Sequence, residues 1–132
     1  TVREGVKWLS DKRLDVFFVT LNKADKDYSP TTMYNDYSIS ESLFHWQSQS
    51  TTAENSPTGQ RYIHHKERGS KVLLFVREFK SDRVTGGAEA YTYLGTASYV
   101  KHEGSRPMNI TWRLDRPIPA KFLKKTNKLV VG

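Results

Sequence analysis

Val72–Phe79 (VLLFVREF) decides the fold. Six of its eight residues are apolar, and the run is too short and too β-branched and aromatic for a helix, so it reads as a strand buried on both faces. Val16–Leu21 (VFFVTL) has the same character, and two such strands imply a sheet with a covered interior. Moving outward, Gly5–Ser10 (GVKWLS) alternates, with Val6 and Trp8 on one face. Met108–Asp115 alternates cleanly: Met108, Ile110, Trp112 and Leu114 one way, Asn109, Thr111, Arg113 and Asp115 the other. Tyr91–Lys101 (YTYLGTASYVK) is a further strand in which Gly95 marks a bulge or bend.

Turn chemistry separates these runs. Asp11–Asp15 (DKRLD) is a charged turn, Asn22–Met33 a polar loop, Ser81–Glu89 a hairpin tip with Gly86-Gly87, and His102–Pro107 a further turn. Ser56 caps a helix that opens at Pro57 and runs through Arg61, His64 and His65 until Gly69. Ser40 caps a short helical turn at Glu41, which runs into a strand over Phe44–Gln49. Ala120–Leu129 is a short helix with Lys121, Lys124, Lys125 and Lys128 outward. The sum is a single α+β domain over residues 1–132: a strongly curved sheet or small open β-barrel of about six strands with short flanking helices.

Charge is distributed unevenly along the 132 residues, whose net charge is +7. Residues 1–26 carry six bases against four acids; residues 27–60 carry four acids and no Lys or Arg; residues 61–132 carry fifteen bases against six acids. A basic half beside a ring-rich, cation-free stretch suits a polyanion whose backbone is held in one place and whose bases are read in another. The competing reading is a solvated basic surface without a partner. With no cysteine there is neither a disulfide framework nor a thiolate metal site. No apolar run approaches the roughly 18 residues of a membrane span, and no signal peptide is visible. A start at Thr1 without Met suggests a piece excised from a larger protein.

The cation-free stretch supplies the candidate site. Its Ser and Thr content resembles a linker, but linkers lack rings, and Tyr34, Tyr37, His45 and Trp46 lie here with Asp36 and Gln47. Rings can stack on a base held out of a duplex, while a carboxylate and an amide read its polar edge. These six residues form the expected base pocket. The opposing interpretation places Trp46 in the core and Tyr34 at a sheet edge. Ser29, Thr31, Thr32, Arg61, Lys66, Arg68, Lys71, Lys124 and Lys125 are the expected contacts to the DNA backbone. His64-His65 lacks the i, i+4 spacing of a zinc helix, and His45 has no nucleophile turn or carboxylate pair beside it. No phosphate-binding glycine loop is present either, so no catalytic residue, metal or cofactor is expected.

The ordered series FVTLNKADKDYSPTTMYNDY, LFHWQSQS, SPTGQRYI, KVLLFVREF and YTYLGTASYVKHEGSRPMNITWRLDRPIP resembles a bacterial family across nearly the whole chain. That family is the domain of uncharacterised function at the C-terminus of DEAD/DEAH-type helicases, often with a phospholipase D-like nuclease at the N-terminus. Such architectures include type IV, modification-dependent restriction enzymes that cut DNA containing 5-methylcytosine. The resemblance implies a non-catalytic, cytoplasmic DNA-recognition domain that senses 5-methylcytosine in double-stranded DNA while helicase and nuclease domains of the same chain act elsewhere. It further implies an SRA/PUA-like barrel in which a flipped base sits in an aromatic pocket. The alternatives are a nonspecific DNA platform for the helicase, which needs no enclosed pocket, and a protein-interaction or dimerisation module, which needs an apolar patch and little salt dependence.

Overall fold

The computed structural model describes residues 5–22, 35–81 and 84–126. The chain forms β1 (Gly5–Leu9), β2 (Leu14–Asn22), β3 (Tyr37–Ser38), β4 (Leu43–Gln47), α1 (Pro57–Ile63), β5 (Lys71–Phe79), β6 (Thr92–Glu103), β7 (Asn109–Leu114) and α2 (Ala120–Thr126). All seven strands join one open sheet in the order β1-β2-β5-β6-β7-β4-β3. The β2–β5 pair is parallel and the others antiparallel, so the sheet is mixed and the class α+β.

The two apolar runs became neighbours. Val16 pairs with Leu73 and Phe17 with Leu74, side by side in the parallel pair. Around β7 the expected apolar face is buried at Met108, Ile110, Trp112 and Leu114; on the other face Arg113 is exposed and Thr111 is covered. Gly95 has φ +97, and the β5–β6 register slips beside it, leaving Leu94 as an extra residue. A second slip follows Tyr99, where Val100 is extra. Two bulges on one strand increase local twist and bend.

That bend rolls the sheet. β2 and β4 are separated by three strands, so a flat sheet would hold them roughly 19 Å apart at normal strand spacing. Instead Phe17 of β2 stacks on Trp46 of β4, ring centroids 4.2 Å apart. Tyr62 from α1 enters the same interior, 5.6 Å from Phe17 and 5.4 Å from Trp46, and Trp112 closes the cluster. The concave side is thus the core, and its open seam lies between β1 and the β4 region.

Three local expectations are corrected. No helical turn follows Ser40: Ile39 and Ser40 donate to the Leu43 carbonyl and close a hairpin between β3 and β4. The Ser40 hydroxyl accepts from Ser42 N–H, so a capping residue serves a tight turn instead. α1 stops at Ile63 rather than near Gly69; the following turns end at Gly69, whose φ is +74. Among the described residues the strands number seven against the about six expected, because Asp36 and the hairpin hold the two-residue β3 against β4. The loop over 23–33 and the tail beyond Thr126, with Lys128 and Leu129, lie outside the described residues.

Candidate nucleic-acid interface

Two cavities adjoin along the seam and share Val6 and Gln49. The upper one, about 220 Å³, lies among Val6, Phe18, Asp36, Trp46, Gln47 and Gln49. The lower one, about 320 Å³, is lined by Trp8 and Tyr62 rings, the Gln49 amide, Thr52, Ser56 and Thr58 hydroxyls and Arg61. Each follows from local structure. β1 is an edge strand, β4 alternates Phe44 and Trp46 inward, and the chain leaving β4 turns under β1 toward α1.

The seam is held by polar contacts. Asp36, 1% exposed, accepts Gln47 N–H at 2.8 Å through Oδ1. Gln47 Nε2 donates to Asn109 Oδ1 at 3.2 Å. Ser48 Oγ accepts Met108 N–H at 2.8 Å and donates to the Gln49 carbonyl at 3.0 Å. Below, Ser56 caps α1, accepting Gly59 N–H at 3.0 Å and donating to Ala53 O at 2.6 Å. Arg61 meets the wholly buried Asp15 through two bonds, Nε to Oδ2 and Nη2 to Oδ1, both 2.8 Å. Its guanidinium also lies 4.5 Å from the Trp8 ring. Partial burial opposes the Arg61 charge, but the Asp15 carboxylate outweighs it and raises the guanidinium above its ordinary value.

Burial first, and the Asp15 charge second, push the Tyr62 phenol well above its ordinary value of 10.0. The folded state therefore holds this proton more tightly than the unfolded chain, whose phenol titrates near 10. Below pH 10 this contribution to stability is complete; as pH rises beyond 10 it is lost, at up to about 1.4 kcal/mol per pH unit. Urea unfolding between pH 9 and 11 should show a shallower loss in Tyr62→Phe than in the native sequence. Identical slopes would remove Tyr62 as the cause.

The six residues expected to share a base pocket are divided. Asp36, Trp46 and Gln47 line the upper cavity. Tyr37 and His45 are cross-strand partners on the outer face, stacked with centroids 4.6 Å apart and planes 9° from parallel. His45 Nδ1 lies 2.9 Å from Asn35 O, and the ring borders a separate hollow of about 150 Å³ with Lys101 and Thr111. Tyr34, and with it Ser29, Thr31 and Thr32, lies outside the described residues. Among the expected backbone contacts, Arg61 is committed to Asp15. Lys66 and Lys71 flank a cavity of about 330 Å³ with Ser70, Thr96 and Ser98. Arg68 is exposed and its carbonyl accepts from the Arg13 guanidinium. Lys124 and Lys125 are exposed on α2, which reaches β3 through the Ser38–Thr126 hydroxyl bond of 2.8 Å. Gln49, read from the sequence beside Trp46 and Gln47 as a second amide, does line both cavities, whereas Trp8, Thr52 and Thr58 were not expected at the site; the alternation of β1 was visible, but not the strand it would face across the roll.

Among the described residues no three His, Asp or Glu gather to hold a metal, and no helix is long and apolar enough to cross a membrane. No curated protein matches the chain. A family model described as a domain of unknown function (DUF3427) matches residues 2–125. The match spans the whole sheet, α1 and all but the last residue of α2, and the chain belongs to the DUF3427 family of domains of unknown function.

Proposed function

We propose that this domain binds double-stranded DNA and receives one extruded, modified cytosine, 5-methylcytosine, in the seam of an SRA/PUA-like rolled sheet, without catalysing a reaction itself. The observation that carries this reading is the pair of adjoining cavities lined by rings, amides and hydroxyls, with cations confined to Arg61 at one end. A neutral base needs ring faces and fixed dipoles around it. The upper cavity, about 220 Å³, is smaller than the roughly 300–1,000 Å³ of sites for drug-sized ligands, in keeping with a single base. Exposed Lys66, Arg68, Lys71, Lys124 and Lys125 supply phosphate contacts outside the seam. In this scheme the helicase and nuclease domains of a modification-dependent restriction enzyme act on DNA that this domain has marked.

Energetics set the expected size of the effect. Burying one methyl group is worth about 0.8 kcal/mol, roughly fourfold in affinity. Titration of matched methylated and plain duplexes should therefore show a modest preference for the methylated one. Gln49→Ala, which removes an amide shared by both cavities, should lower affinity for the methylated duplex by roughly fivefold or more and erase the preference. Lys124→Ala with Lys125→Ala should weaken both duplexes alike and reduce the salt slope by about one per lost phosphate contact. Equal affinity of the native chain for both duplexes would reject base reading and leave a nonspecific platform. A flat salt response would reject DNA as the partner.

A further inference from the structure

We propose that the convex face of β2, β5 and β6 is a second nucleic-acid site, on which the bases of a single strand stack; Phe18 borders both it and the upper seam cavity, while Phe75 and Tyr93 belong to the convex face alone. Phe18, Phe75 and Tyr93 are register partners on three adjacent strands. Their rings form a continuous row, with centroids 5.3 Å apart between Phe18 and Phe75 and 4.8 Å apart between Phe75 and Tyr93. Phe17 and Leu74 point into the core, so the pleat sends Phe18 and Phe75 to the opposite side. At the ring row that side is open, since Phe18 and Phe75 are only partly buried and Tyr93 is 43% exposed, whereas Thr20 and Arg77 farther along the same side are buried.

The row is braced at its end. Tyr91 packs edge-on against Phe18 at 5.3 Å, and the Arg77 guanidinium lies 4.4 Å from the Tyr91 ring. Arg77 is fixed by Thr20 Oγ1 at 2.9 Å and the Glu89 carbonyl at 3.3 Å. Rings held this way need no reorganisation before a base settles on them, and aromatics on an open sheet face stack two or three bases.

Charge selects the occupant. Strand alternation places Lys7 and Lys71 on the same side as the ring row, and both are exposed. Among the described residues of β1, β2 and β5, the acids are Asp15 and Glu78, and both fall at positions of the opposite parity. A partly apolar surface flanked by Lys7 and Lys71 complements unpaired bases on a phosphate backbone; the carboxylates that adjoin these strands are engaged, Asp115 by the Thr96 hydroxyl and Glu89 by the N–H groups of Glu78 and Phe79. A duplex keeps its base faces stacked inside and cannot use the row.

The test uses the whole chain, fluorescein-labelled oligothymidylate and an abasic oligomer of equal length at one ionic strength, read by anisotropy. Tyr93→Ala should weaken oligothymidylate binding roughly 5- to 150-fold and leave abasic binding unchanged. Tyr93→Phe, which keeps the ring, should retain native affinity. Lys7→Glu should weaken both oligomers. An unchanged oligothymidylate affinity in Tyr93→Ala, or equal losses on both oligomers, overturns the proposal. So does an unchanged affinity accompanied by loss of self-association in sedimentation, which would assign the row to a protein contact. The two sites fail separately: Tyr93→Ala should not alter the methylated-to-plain duplex ratio, and Gln49→Ala should not alter oligothymidylate binding.

Discussion

Arg61→Ala should lower stability by about 4 kcal/mol, within the roughly 3–5 kcal/mol lost when one partner of a buried ion pair is removed. Alternation along β2 sends Asp15 inward with Phe17, and its side chain has no exposure. Both carboxylate oxygens are taken by Arg61, whose own side chain is 19% exposed. Truncating Arg61 therefore strands a charge in the interior, and rehydrating it means opening the β2–α1 contact. Asp15→Asn should cost less, because the carboxamide oxygen still accepts one bond and no charge is left buried without a partner. At about 4 °C per kcal/mol for a chain of this size, Arg61→Ala should melt roughly 15 °C below the native sequence. Thermal and urea unfolding measure it, and a loss under about 1 kcal/mol would show that the pair is not a structural anchor. The same pair changes how Arg61 enters DNA binding. Its fork is occupied, so its part at the seam is to fix Trp8 and one wall of the lower cavity, and loss of binding in Arg61→Ala would follow from loss of the seam. Phosphate contact is better tested at Lys66, which is exposed beside Lys71.

The strands that were legible in the sequence are those whose pattern has a single physical solution. Val16–Leu21 and Val72–Phe79 are too apolar for any edge and ended as adjacent inner strands. Met108–Asp115 alternates without a break, and Gly95 supplied the positive φ that its bulge requires. Ser56-Pro57 fixed the start of α1 because one residue accepts the free N–H and the next has none to offer. The site was harder to see. Tyr37, His45 and Trp46 are close in sequence, but successive strand residues face opposite ways, so His45 and Trp46 could not share one cavity once β4 formed. Trp8 and Gln49 come together only because two bulges on β6 roll the sheet, and curvature summed over five strands leaves no local signature in either segment. The ring row on the convex face was likewise hidden. Phe18 and Phe75 each sit in a run that reads as buried on both sides, and only the finished sheet leaves these two rings partly uncovered.

Gly59→Ala should destabilise the domain by about 3 kcal/mol, although helix propensity alone favours alanine by roughly 1 kcal/mol. Gly59 is the third residue of α1, and its φ is ordinary, so the backbone itself would accept a side chain. The obstacle is space. A Cβ at this position would stand 2.2 Å from the Ala53 carbonyl oxygen and 2.9 Å from that of Glu54. Those atoms cannot retreat easily. Ala53 O accepts from both the N–H and the hydroxyl of Ser56, at 3.1 and 2.6 Å. Glu54 O accepts from Gln60 Nε2 at 2.8 Å, and Glu54 N–H donates to Ser105 Oγ at 2.9 Å. The loop from Gln49 to Ser56 is thus pressed onto the first turn of α1, and that closeness forms the floor of the lower cavity. An alanine would push the two apart, loosening the Ser56 cap and the Tyr62 ring inserted into the core. Thr58→Ala, one residue earlier and partly exposed, should change stability by no more than about 0.5 kcal/mol and serves as the control. Because the collision is with backbone oxygen, Ala53→Gly should not rescue Gly59→Ala. Urea unfolding of the two single variants and the double variant decides the matter: a Gly59→Ala chain as stable as the native one, or full rescue by Ala53→Gly, would mean that the loop does not lie against this helix as described.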